Sequence, residues 1–166
     1  MSKIKAAFFD RDGTIIKDVN YLSRLDQIEL IPGIINLCHS LQNAGYRLFV
    51  ITNQSGVARG YFDESFVQST HKNLKTLFEK ELVTFEKFYY CPHHPDQAIF
   101  DKYLKKCDCR KPQAGLFFEA AKEFNIDLSQ SLMFGDKMLD VESGQKAGCK
   151  SFYIQEVLKK EGDYGW

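Results

Sequence analysis

Polar and apolar residues fall along this chain in a repeating order. A short, nearly unbroken apolar run meets a polar break, then a longer stretch whose apolar positions recur at helical spacing. Ile4–Phe9 is such a run and stops at Asp10, as expected of a strand buried on both faces. Pro32-Gly33 precedes Ile34, Leu37, Cys38 and Leu41, one face of a helix that ends at Ala44-Gly45. Arg47–Thr52 is a second apolar run, followed by the glycine-bearing loop NQSGVARGYF. Asp63 can cap a longer helix that carries Phe66, Thr70, Leu74, Leu77 and Phe78 along one side. Phe85–Tyr90 reads as a third strand, Gly115–Asn125 as an amphipathic helix, and Leu132–Gly135 as a fourth strand ending at Asp136. A helix from about Met138 closes at Ala147-Gly148, and Ser151–Ile154 is a fifth strand. The final residues, KKEGDYGW, are expected to be loosely ordered.

Strands and helices in alternation predict an α/β fold: a Rossmann-like parallel sheet with helices on both faces. Ligands of such sheets bind beyond the carboxyl ends of the strands. Asp10, Thr52 and Asp136 each end a predicted strand, so residues far apart in sequence can converge on one place.

Composition narrows the classes without choosing among them. The 166 residues suit a single domain spanning 1–166 with one sizeable core. Lys+Arg 22 against Asp+Glu 22 leaves no net field to capture nucleic acid or an anionic membrane. No apolar run reaches the roughly 20 residues that span a bilayer, and the run before Asp10 is too short for a signal peptide. A cytoplasmic location is therefore expected, where lasting disulfides are rare. No broad apolar repeat demands an interface, so a monomer is expected. Cys38 and Cys149 sit apart in apolar-periodic segments and read as buried hydrophobes.

The stretch FFDRDGTI sets Asp10 and Asp12 two residues apart at a strand end, with Gly13 allowing a sharp turn. Asp136 in MFGDKMLD has the same setting. Converging carboxylates repel one another and call for a cation, and hard oxygen ligands suit Mg²⁺. Thr52, Asn53, Gln54 and Ser55 offer hydroxyl, amide and backbone donors at another strand end, and Lys111 adds a positive charge. Such a set fits phosphoryl transfer, in which spread negative charge needs positioned donors.

The segment from Tyr89 to Pro112, YYCPHHPDQAIFDKYLKKCDCRKP, carries the remaining chemistry. Cys91-x-His93 and Cys107-x-Cys109 are two short chelating pairs that close one loop, as a Cys₃His site needs. Thiolates with imidazole favour Zn²⁺, and four protein ligands leave no place for a reacting water. The ion would be structural, ordering a polar loop with few apolar anchors. His94 competes with His93 as the fourth ligand.

DRDGT, TNQSG, KP and GDxxxD, in that order, resemble the four-motif signature of the haloacid dehalogenase-like phosphatases. FFDRDGTI, ITNQSGVARG, YYCPHHP, CDCRKP and GDK together are similar to the branch that hydrolyses D-glycero-D-manno-heptose 1,7-bisphosphate, akin to histidinol phosphatases. The likeness runs from about Ala6 to Ile154. It implies Asp10 as nucleophile forming an aspartyl-phosphate, and Asp12 as general acid and then base. It implies Mg²⁺ held by Asp10, Asp136 and the backbone carbonyl of Asp12, with Thr52 and Lys111 on the phosphoryl oxygens. Arg110 would contact substrate. Asp18, Val19, Asn20, Tyr21, Asn53, Gln54, Ser55 and Lys137 would line the pocket. Cys91, His93, Cys107 and Cys109 would hold zinc. Asp140, one helical turn after Asp136, reads as support for Lys137 or its loop. Only a minimal cap has room, in Lys17–Leu30 and Ala58–Asp63.

The expected partner is a small phosphorylated sugar. Histidinol phosphate is the rival substrate, and a more open site could admit either. A polynucleotide 3′-phosphatase shares the acidic signature but not this charge balance. A receiver domain would lack both the zinc loop and an acid two residues after its phosphorylated aspartate. A zinc-stabilised module without catalysis is the remaining class, in which Asp10 would be dispensable.

Overall fold

The computed structural model describes residues 2–166; Met1, with which the expected domain begins, lies outside the described residues. Five parallel strands form one sheet: β1 (Ala6–Phe9), β2 (Arg47–Asn53), β3 (Phe85–Cys91), β4 (Leu132–Gly135) and β5 (Lys150–Tyr153), in the order β3-β2-β1-β4-β5. Helices α1 (Ile34–Asn43), α2 (Glu64–Glu79), α3 (Gly115–Phe124) and α4 (Met138–Ala147) occupy the connections, and α5 (Ile154–Leu158) follows β5. The α/β reading with helices on both faces is what the molecule adopts. No helix among the described residues is long and apolar enough to cross a membrane.

The sheet alternation explains the two layers. Ala7 and Phe9 of β1 point to one face, with Leu48, Val50 and Phe134, and pack on Leu37 and Leu41 of α1 and Leu74 and Phe78 of α2. Ala6 and Phe8 point to the other face, with Phe49, Ile51 and Met133, and pack on Leu116, Phe117 and Ala120 of α3. Because both faces are covered, every residue of β1 is fully buried, which is why that strand reads as an unbroken apolar run. Asp63 caps α2 by accepting from the Phe66 amide at 2.8 Å, and Asn125 at φ 55° closes α3.

The chain runs outward from β1 through β2 to β3, then returns to the far side of β1 with β4. That reversal puts a crevice at the carboxyl ends of β1 and β4. Phe9 pairs with both Val50 and Phe134, and the Asp10 amide donates to the Phe134 carbonyl at 3.0 Å. Asp10, Thr52 and Asp136 are thus brought to the end of three adjacent strands. Leu30 and Ile16 form an antiparallel bridge that turns residues 17–30 into a short flap.

Two expectations shift. The buried side of α2 is Val67, Thr70, His71, Leu74 and Phe78. A buried histidine interrupts the apolar pattern there, and Phe66 and Leu77 are only half-buried. The C-terminal tail is not loose. Ile154 starts α5 instead of ending β5, and Tyr164 returns to the core at 8% exposure. Tyr164 stacks on Trp166, whose ring stands 5.7 Å from that of Phe134. The two aromatics supply the anchors that the polar residues around them lack. Trp166→Ala is expected to cost about 1–3 kcal/mol in urea-induced unfolding, from lost apolar burial and ring contacts; a loosely ordered tail would show no change.

Candidate active site

Lys111 lies at the centre of the crevice, at 2% exposure. Its ammonium donates to Asp10 Oδ1 at 2.8 Å, to Asp140 Oδ1 at 2.6 Å and to the Ile51 carbonyl at 2.8 Å. All three of its protons are therefore committed, to β2, α4 and the end of β1. Burial acts to lower the Lys111 pKa, but Asp10 and Asp140 outweigh it and hold the value above the ordinary one. Asn53 fixes the backbone behind the ammonium: its Oδ1 accepts from the Lys111 amide at 2.9 Å and its Nδ2 donates to the Lys111 carbonyl at 3.1 Å.

The carboxylates that gather here are Asp10, Asp136 and Asp140, with ligand atoms within 4.8 Å of one another. This differs from the expected convergence of Asp10, Asp12 and Asp136 side chains. The Asp12 carboxylate instead receives Gln54 Nε2 at 3.1 Å and a fork from Arg11. Asp140 does support Lys137, accepting from its amide at 3.1 Å, but its second oxygen is the one on Lys111. Gly13, at φ +82°, lets the loop after β1 approach Asp136; a Cβ there would lie 2.2 Å from Asp136 Oδ2. A Cβ on Gly135 would likewise meet Asp140.

Three carboxylates against one ammonium leave an excess of negative charge in a buried place. Desolvation pushes Asp10 up to about 7 despite Lys111, with Asp140 adding to the rise. Desolvation and Asp140 push Asp136 up to about 6. Asp136 Oδ1 is buried with no hydrogen-bond partner. An orphaned carboxylate oxygen beside two others is a donor set that fits a hard divalent cation such as Mg²⁺.

Around this cluster is a cleft of about 250 Å³. Asp18, Asn20, Tyr21, Asn53, Gln54, Ser55, Arg110 and Lys137 line it as expected; Val19 does not. Thr52, at the floor, accepts from Gln54 Nε2 at 2.9 Å. Asn20 and Tyr21 both have positive φ, 56° and 68°, in the flap. The Asn20 amide is held by Asp18 Oδ1 at 2.9 Å. Sequence reasoning missed Arg59. It lines the cleft, its guanidinium stands 5.7 Å from the Tyr21 ring centre, and its Nε is buried without a partner. Arg59 lies in a loop already marked by its glycines, and its charge was the available signal.

Cys91, His93, Cys107 and Cys109 meet beside this wall. Sulfur–sulfur separations are 3.0–3.5 Å, too long for a disulfide, and His93 Nδ1 is 3.3 Å from Cys109 Sγ. Four donors around one centre could hold a metal ion, and their softness suits zinc. His94 points away from them: its Nδ1 accepts from the Asp96 and Gln97 amides at 3.2 and 2.9 Å. The loop that carries these four residues is tied to the site directly, the Gln54 amide donating to the Cys91 carbonyl at 2.8 Å. Glu64 of α2 accepts from Tyr90 and Tyr103, both at 2.7 Å, and so braces the loop from the other side.

Comparison with known proteins places this geometry among relatives. A family model described as HAD-hydrolase-like matches residues 108–161. A D-glycero-β-D-manno-heptose-1,7-bisphosphate 7-phosphatase of Haemophilus ducreyi is 45% identical over 95% of this chain and 84% of its own length. An α-anomer-named counterpart from Campylobacter jejuni is 39% identical over 98% of this chain and 88% of its own. A crystal structure of the D,D-heptose 1,7-bisphosphate phosphatase of B. bronchiseptica, complexed with magnesium and phosphate, superposes with a TM-score of 0.79. It has 26% identity over 95% of this chain and 87% of that one.

The raised carboxylate values predict a pH signature of the magnesium-free protein. Asp10 binds its proton more tightly when folded than its ordinary 3.8, so folded protein holds more protons than unfolded between that value and about 7. Stability is therefore expected to fall as pH rises through this window. Added Mg²⁺ should raise the melting temperature more near pH 7 than near pH 5, since metal binding displaces protons. A magnesium effect that is flat across the window, in thermal denaturation at matched ionic strength, would count against a cation at these carboxylates.

Proposed function

We propose, for a chain that belongs to the haloacid dehalogenase-like hydrolases and, within them, to the heptose-1,7-bisphosphate 7-phosphatase family, hydrolysis of the 7-phosphate of D-glycero-D-manno-heptose 1,7-bisphosphate. The product, heptose 1-phosphate, is the form that a nucleotidyl transfer would activate. The observation that carries the reading is the charge layout of the cleft. A carboxylate cluster suited to a divalent cation and a reacting phosphate lies at its floor, and Arg59 and Arg110 on its wall are placed to pair with a second phosphate. Both arginines stand close enough to His94 to depress its pKa, behind the leading effect of burial, so they share one side of the cleft. A substrate with one phosphate would leave that side unused.

In this reading Asp10 is the nucleophile. Its oxygen attacks phosphorus as the bond to the sugar oxygen breaks, and the departing oxygen takes a proton from Asp12. Water then attacks the aspartyl-phosphate, Asp12 takes the water proton, and phosphate leaves with Asp10 restored as a carboxylate. Asp10, Asp136 and the Asp12 carbonyl would hold Mg²⁺, with Asp140 beside them. Bound there, the cation would offset the carboxylate excess and polarise the phosphoryl group. Thr52 accepts from Gln54 and donates to the Asn53 carbonyl at 3.3 Å, a long contact that its hydroxyl would exchange for a phosphoryl oxygen. Lys111 orients Asp10 in the resting site. When Asp10 becomes an acyl phosphate its carboxylate loses its negative charge, and the Lys111 proton it held can turn to the phosphoryl oxygens. Asn53, Gln54 and Ser55 with Asp18, Asn20, Tyr21 and Lys137 would bound the sugar. The Cys₃His site would hold zinc without chemistry and fix the backbone from which Arg110 and Lys111 project. One cleft formed within one chain supports reading residues 1–166 as a single catalytic domain; a monomer in the cytoplasm is the state proposed with it, on the charge balance and cysteine usage of the sequence.

Asp10→Asn is expected to remove phosphate release by at least about a thousandfold, because no nucleophile remains. Heptose 1,7-bisphosphate of either anomer should be turned over in strong preference to histidinol phosphate; the reverse order would sink the substrate assignment. Arg59→Met should raise KM for the bisphosphate about tenfold, the worth of one charge-assisted contact, and leave KM for heptose 7-phosphate unchanged. Metal analysis of the purified protein should return one zinc per chain that survives magnesium removal.

A further inference from the structure

We infer that His71, a buried histidine of α2 outside the cleft, is a positioning residue for the phosphatase reaction, fixing through Arg11 where the Asp12 carboxylate stands. The inference rests on the reading of Asp12 as the proton donor. Arg11 follows the nucleophile in sequence, yet its side chain is folded inward to 2% exposure. The turn after β1 brings this about: the Thr14 and Ile15 amides donate to the Arg11 carbonyl at 3.2 and 3.0 Å, and the chain curls over its own side chain. A guanidinium buried to this degree needs partners on every edge. Nε and one terminal nitrogen take the two oxygens of Asp12, at 3.1 and 3.2 Å. The other terminal nitrogen lies 3.1 Å from His71 Nε2.

The roles in that last contact are forced. A guanidinium has no acceptor, so His71 Nε2 accepts, and the imidazole is neutral with its proton on Nδ1. Burial, then the Arg11 charge, hold its pKa well below the ordinary value. The ring is itself held, stacked on Phe88 at 4.8 Å and edge-on to Tyr90 at 5.8 Å. The order of support is therefore ring stack, imidazole, guanidinium, carboxylate. Each member restricts the next, and only the last two line the cleft. Without His71 the free edge of Arg11 would seek another acceptor and carry Asp12 with it. Gln54 alone would remain to hold the carboxylate, through one oxygen.

A purely structural role would slow every substrate alike. A positioning role acts only where the proton from Asp12 is needed, on a poor alkoxide leaving group and not on a stable phenolate. The test compares kcat/KM for heptose 1,7-bisphosphate and p-nitrophenyl phosphate, which reports the first bond cleavage in each. His71→Leu is expected to lose about tenfold on the sugar and less than about twofold on the aryl ester. His71→Gln, which keeps an acceptor for Arg11, should recover most of the sugar rate. Equal losses on both substrates, or none on either, would overturn the inference. Asp12→Asn measured alongside should show the same selectivity more strongly. If it does not, the Asp12 reading fails and this inference with it; if it does and His71→Leu does not, only the His71 role falls. Should His71→Leu not fold, ¹⁵N shifts of the wild-type imidazole still decide: a proton on Nδ1 is expected, and a proton on Nε2 would leave Arg11 without its acceptor and end the argument.

Discussion

One ammonium group holds the site together. Lys111 is the cation shared by Asp10 and Asp140, two of three clustered carboxylates, and its third proton ties it to the Ile51 carbonyl of the central sheet. Removing either kind of charge alone would strand the other largely out of water, a change that generally costs several kcal/mol. Asp10, Asp136 and Asp140 against Lys111 sum to −3 + 1 = −2 when all are ionised, the charge that one divalent cation balances. The sheet does not need this cluster, since its two hydrophobic layers close without it. The cluster needs the sheet, because only the ends of β1 and β4, with α4 behind them, set three carboxylates within reach of one ammonium. A destabilising arrangement kept in a rigid frame is the usual mark of a site that waits for a ligand.

Lys111 in turn depends on the loop that delivers it. A single residue, Arg110, separates its backbone from Cys109, and the Asn53 side chain grips that backbone on both its amide and carbonyl. The loop has few apolar anchors of its own: Tyr103 packs in a small cluster with Val57, Ala58 and Val67, and Ile99 and Phe100 are exposed. Four soft donors at one centre and the two tyrosine hydroxyls on Glu64 take the place of a core. The Cys/His cluster and the carboxylate cluster are thereby one mechanical unit, although they differ in donor chemistry. In the proposed mechanism a disturbance at Cys109 reaches Asp10 by way of Lys111.

Much of this was legible in the sequence, and the reasons for the rest are physical. Strand ends could be read because a both-sides-buried strand must be apolar and must stop at its first polar residue; Asp10, Thr52 and Asp136 followed from that. Chelating pairs could be read because spacing and donor type travel together, although only the fold decides between adjacent histidines, turning His93 inward and spending His94 on loop amides. Partner choice was not legible. The position of Asp140 was clear, but its contact with Lys111 spans 29 residues and depends on the sheet order. Arg11 and His71 look like ordinary surface polarity because residue type alone does not tell a buried polar side chain from an exposed one. The tail read as loose because Tyr164 and Trp166 are too few to form a pattern, yet two rings suffice to anchor eight residues against Phe134 and Phe152.

The small flap bears on how such a site could choose its substrate. A large cap would enclose a sugar and read it from above. Here residues 17–30 and the turn at 58–63 bring only a few side chains to the cleft, Asp18, Asn20, Tyr21, Leu22 and Arg59, and Tyr61 packs its ring edge to face on Tyr21 at 4.8 Å. Asn20 and Tyr21 both take positive φ in this edge, and the Tyr21 ring faces the Arg59 guanidinium. Selectivity then falls to charges at fixed separation from the nucleophile. In the proposed reading one phosphate reaches the carboxylate floor while another meets the arginine wall, so the spacing of two anions along a substrate becomes the quantity measured. A sugar that carries phosphates at both ends satisfies such a ruler, and the hydroxyls between them need only fit.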